Sequence, residues 1–97
     1  MNYQALMRQA QNLQKDMLNT KNEIDSMIFE ESNELISVKV NGKKEVLSVK
    51  IKSENIDNDD IEMIEDMFLL ALNNVFKKVD KTTEEKMGKF SSMAGLF

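Results

Sequence analysis

The chain has 97 residues, no cysteine, no histidine, no proline and a formal net charge of −4. The missing cysteines exclude disulfides, thiolate metal sites and a cysteine nucleophile, and the missing histidines remove the commonest general base and metal ligand. A chain this short buries a modest fraction of its surface unless it gains a partner, so oligomerisation is expected from the outset.

From the N-terminus, apolar and small residues fall at Tyr3, Leu6, Ala10, Leu13, Met17, Thr20, Ile24 and Met27. This alternating spacing of three and four predicts a helix with a coiled-coil-like seam. About 25 residues at 1.5 Å each give a helix on the order of 37 Å. The opening run MNYQALMRQAQN carries amides where a signal peptide has its apolar core. The longest apolar run, Met67 to Leu72, is far short of the roughly 20 residues that span a bilayer. A cytoplasmic chain with no membrane helix is expected.

Strand patterns follow at about 27–32, 35–41 and 45–52. Ile36, Val38 and Val40 share one face of the second, and Leu47, Val49 and Ile51 one face of the third. Each strand spans roughly 20 Å, so the first helix overhangs its sheet and its seam needs another helix to cover it. The turn NGKK allows two registers. Gly42-Lys43 as loop residues pairs Val38 with Leu47 and Ile36 with Val49, and matches apolar with apolar in a type II′ turn; Asn41-Gly42 as type I′ is the rival.

SENIDNDD is a loop into a second helix, with Asp59 and Glu62 spaced as a capping box. That helix carries Ile64, Phe68, Ala71, Leu72, Val75 and Val79 on one stripe and is expected to end near Gly88, with Lys86 in its last turn. Around Met67 to Leu72 it is apolar nearly all round, which implies a second helix or a second subunit. Met7, Met17, Met63 and Met67 suit core and dimer filling. Residues 1–88 read as one domain and 89–97 as a mobile tail.

Charge is segregated. Residues 53–76 hold seven acidic and no basic side chains, whereas 77–97 hold five basic against three acidic. The acids Glu54, Asp57, Asp59, Asp60 and Glu62 miss the calcium-loop template, since Ile61 sits at the fifth position and no glycine follows, and they read as helix capping. No phosphate-binding loop or metal ligand set is present, so neither an enzyme nor a cofactor or small-molecule site is expected. On the first helix Arg8 and Lys15 lie about 20° apart, with Gln4, Gln11, Asn12, Asn19 and Asn22 within roughly 60° of Arg8. On the second, Lys77, Lys78 and Lys81 share an arc of about 100°. Such faces suit phosphate and base-edge contact, and they equally suit solvated helix surfaces and a favourable macrodipole.

The stretches LMRQAQNLQKDM, VKVNGKKEVLSVKI, NDDIEMIEDM and ALNNVFKKVDKTTEEKMGK together resemble the YbaB/EbfC family of bacterial nucleoid-associated proteins, nearly end to end and in order. The resemblance implies an α+β, α-β-β-β-α homodimer with a three-stranded antiparallel sheet, tweezers-like long helices and a non-enzymatic DNA-binding role in the nucleoid. Arg8, Lys15, Lys77, Lys78 and Lys81 are the expected DNA contacts. Leu6, Ala10, Leu13, Met17 and Phe68 are the expected dimer contacts. The alternative is a cytoplasmic adaptor that holds a protein partner with the same helices. Two departures stand out: Glu31-Ser32-Asn33-Glu34 replaces a glycine-rich turn, where asparagine can serve, and the C-terminal tail has glycine but no proline.

Overall fold

A computed structural model describes residues 2–94, with side chains through Phe90. The elements are α1 (Tyr3–Ser26), β1 (Ile28–Ser32), β2 (Ile36–Asn41), β3 (Val46–Ile51), a 3₁₀ turn (Asn58–Asp60) and α2 (Ile61–Ala94). The architecture is the expected α-β-β-β-α, with an antiparallel sheet in the order β1-β2-β3.

Local chemistry sets most boundaries. Asn2 caps α1 by accepting from the Ala5 amide at 3.3 Å. At the β1–β2 turn, Asn33 Oδ1 accepts from the amides of Leu35 at 2.8 Å and Ile36 at 2.9 Å. The asparagine thus does the work of the glycine-rich turn it replaces. The capping pair before α2 falls two residues earlier than expected: the Asp57 amide donates to Asp60 Oδ2 at 3.2 Å, in place of Asp59 with Glu62.

The β2–β3 hairpin differs from both expected registers. Val38 pairs with Val49 and Ile36 with Ile51, and the register shifts at Lys39/Val40 so that Val40 faces Val46. Gly42, Lys43 and Lys44 form a three-residue loop closed by the Asn41 amide on the Glu45 carbonyl at 3.1 Å. Lys44, at φ 64°, takes the left-handed position, a loop geometry with a built-in bulge. Gly42 is needed for another reason. A Cβ there would lie 1.8 Å from the carbonyl oxygen of Ile24, so the end of α1 can rest against the hairpin only because no side chain intervenes.

The core is one cluster in which Ile64, Ala71, Val75 and Val79 of α2 bury Phe29, Ile36, Val38 and Val40 of β1 and β2. On the opposite sheet face Glu30 and Lys39 stand across from each other, and Ser37 Oγ donates to Glu30 at 3.1 Å. Among the described residues α2 packs on β1 and β2 but does not meet β3.

Beyond the sheet α2 continues through Gly88 to Ala94, past the stop expected at Gly88. A glycine ends a helix when the chain needs a left-handed residue there; Gly88 keeps a negative φ, and Phe90, only 3 % exposed, anchors the turn that follows. Residues 89–94 of the expected tail are therefore helical, and 95–97 lie outside the described residues. The result is a rod of 72 × 19 × 15 Å with a radius of gyration of 19.9 Å, against about 13 Å for a compact chain of this length.

Candidate nucleic-acid interface

The rod has a sheet end and an arm end. In the arm, α1 runs antiparallel to the second half of α2, with Lys86 Nζ 3.1 Å from Glu23 Oε1. Counting from that contact, Ala94 comes level with about Lys15, so the roughly 12 residues before Lys15 project some 18 Å further. From about Lys15 onward the seam of α1 is thus covered by the chain's own α2. Ala10, Leu13 and Met17 are half-buried on it and Ile24 is buried.

This projecting segment differs electrically from the rest. Up to Asp16 the chain carries Arg8 and Lys15 and no acidic residue. The first turn of α1 holds no acid either, so the positive end of its macrodipole is uncompensated. Both cations are exposed, lie about 10 Å apart along one face and form no ion pair among the described residues. The same segment exposes Tyr3 (74 %), Leu6 (48 %) and Met7 (50 %).

The lysines expected on α2 divide. Lys78 pairs with Glu31 and donates to the Glu30 carbonyl at 3.2 Å, tying α2 to β1. Lys77 and Lys81 are exposed one turn apart and enter no ion pair among the described residues. They lie about 20 Å along the rod from the level of Lys15, so one protomer does not merge its two basic clusters. Lys44 of the hairpin loop pairs with Asp80 and fastens that loop to α2.

These ion pairs also orient α2. Lys78 marks the flank towards β1, and Asp80 the flank towards the β2–β3 loop. Leu69, three turns before Asp80, shares the latter flank and is exposed, as is Leu70. Beside that flank, Val46, Leu47, Val49 and Ile51 of β3 are each about half exposed. Helix and edge strand together leave an open apolar surface. The strand pattern indicated which residues share a face, but nothing in it indicated that the helix covers only two strands of three. Of the residues expected at a dimer contact, Phe68 packs against the chain's own core, and Leu6 is exposed at the arm. Among the described residues no three acidic side chains converge on a metal position, and no helix is long and apolar enough to cross a membrane.

A family model described as the YbaB/EbfC DNA-binding family matches residues 1–94. The chain is 40% identical over 93 residues to a nucleoid-associated protein of Ligilactobacillus salivarius, covering 94% of this chain and 89% of the relative. It is 44% identical over 101 residues to one of Clostridium perfringens, at 99% and 90% coverage. A nucleoid-associated protein of Oceanobacillus iheyensis is 39% identical over 101 residues, at 99% and 97% coverage.

Proposed function

Because the chain belongs to the YbaB/EbfC DNA-binding family, we propose that it is a nucleoid-associated homodimer that holds DNA weakly, with little sequence preference, and organises the chromosome from within the cytoplasm. The observation that carries this reading is the exposed first half of α1, which bears Arg8 and Lys15 and no acidic residue before Asp16, in a chain of net charge −4. Two arms in a dimer present four such cations, with Lys77 and Lys81 as outlying contacts. Lys78, engaged by Glu31, contributes least. Cations and amides without a fixed constellation of bidentate donors grip phosphates and position the duplex, and they read little sequence. Catalysis has no part in this role.

The dimer is supported by the apolar surface of β3 and the exposed Leu69 and Leu70 of α2, which a second copy would cover, and by the elongation of the single chain. Ala10, Leu13, Met17 and Phe68, half-buried within the protomer, lose their remaining exposure on this reading. Sedimentation should give a mass near twice 11.2 kDa, and Val49→Glu should reduce it to the single value. The same apolar surface is what an adaptor would use for a protein partner, so DNA is tested separately. Log affinity should fall with log salt at a slope of roughly −0.9 per neutralised phosphate, and charge reversal at Arg8 and Lys15 should flatten that slope on unrelated duplexes while leaving the dimer intact. Absence of binding at about 50 mM salt, where such contacts are strong, would leave the adaptor reading in its place.

A further inference from the structure

Arg8 and Lys15 face away from the α1 seam, whereas Tyr3, Leu6 and Met7 lie on the seam side, beyond the level that α2 reaches at Ala94. Their exposure is large for a soluble helix, and the sole tyrosine of a chain without tryptophan stands at the outermost turn. We propose that this apolar tip is a base-contacting element, which enters the major groove end-on and meets thymine methyl groups. The inference rests on the DNA-binding reading above and adds a contact that phosphate binding does not require.

Dimensions favour it. A helix with its side chains is about 10–12 Å across, which a major groove about 12 Å wide admits and a minor groove about 6 Å wide does not. Arg8 lies five residues, about 7.5 Å, behind Tyr3. With Tyr3 at the floor of a groove about 8.5 Å deep, the guanidinium stands at the height of the phosphate rim. Leu6 and Met7 then fall inside the groove, where the apolar groups a duplex offers are thymine methyls.

Charge selects DNA over a second copy as the occupant. The tip carries basic and no acidic residues up to Asp16 and presents the positive end of a helix, so two tips repel and a polyanion attracts. Leu6, expected from the sequence at the dimer contact, belongs on this reading to the DNA-facing tip.

The test compares the full chain on one duplex and on the same duplex with uracil replacing thymine, at matched low salt. The phosphates are identical, and each methyl contacted should make the thymine duplex bind roughly four-fold tighter, the value of one buried methyl-sized group. Tyr3 emission should change on binding the thymine duplex, and should be open to acrylamide quenching in the free dimer. Leu6→Ser with Met7→Ser should equalise the two duplexes and keep the salt slope. Equal wild-type affinities with unaltered tyrosine emission would overturn the base contact while salt-dependent binding upheld the phosphate reading. Tyr3 shielded from acrylamide before DNA is added would overturn it in favour of the second copy. Binding to neither duplex would remove the DNA reading and this inference together.

Discussion

The two ends of the rod are built on different principles. At the sheet end Ile36, Val38, Val40 and Val75 have no solvent exposure, and α2 lies directly on β1 and β2. At the arm end α1 and α2 meet along a half-buried seam and the Lys86–Glu23 ion pair, and the first turns of α1 project past the level of Ala94. The difference teaches that folding and recognition are separated along one axis. Residues that hold the chain together are far from residues available to a ligand, so each set can be changed without the other.

The sharpest way to break that separation is truncation at both ends. Ile36→Ala should lower the unfolding free energy by roughly 2–5 kcal/mol, because it opens a cavity in a closed core. Leu6→Ala should stay within about 0.5 kcal/mol, as for other exposed sites. Urea titrations of both variants decide it, and comparable costs would mean that the arm tip is folded against something. Gly42→Ala probes the joint between the two ends. A Cβ 1.8 Å from the Ile24 carbonyl oxygen forces α1 off the hairpin, and a loss of about 1–3 kcal/mol is expected from such overpacking, with weaker packing of α1 visible as faster amide exchange.

Smaller effects sharpen the comparison within the arm. Gly88→Ala should raise stability by about 0.8–1 kcal/mol, since the site is helical and a Cβ would meet nothing within 4 Å; a fall in melting temperature would show that the glycine is kept for contact in the dimer. Lys86→Ala should cost about 0.2–1 kcal/mol, the ordinary value of an exposed ion pair, and a double change with Glu23→Ala should cost little more. Coupling well above that range would make the pair a principal clasp of the arm.

Much of this plan was legible from spacing alone. The 3–4 seam of α1, the Ile36-Val38-Val40 alternation and the Ile64–Val79 stripe each carry a period that one secondary structure satisfies. What escaped was set by contacts between elements. The hairpin register turned on Lys44 entering a left-handed conformation that lysine has no intrinsic preference for, and on Gly42 being required by α1 and not by the turn. The end of α2 escaped because Gly88 resembles a helix stop until Phe90 is seen to be buried beyond it. Among the candidate cations, exposure of Arg8 and Lys15 followed from their place opposite the seam, whereas the diversion of Lys78 to Glu31 depended on the angle at which α2 crosses β1.

The length of the rod changes what its net charge means. The seven acids of residues 53–76 surround the start of α2, which by helix rise lies almost the full 72 Å from the tip of α1. At physiological ionic strength the field of an exposed charge decays over about 8 Å. A duplex held at the arm, as proposed, would therefore lie many screening lengths from those carboxylates and sense little of them. Seen from the DNA, this acidic protein presents a locally cationic end, and its isoelectric point says little about which polymers it will approach.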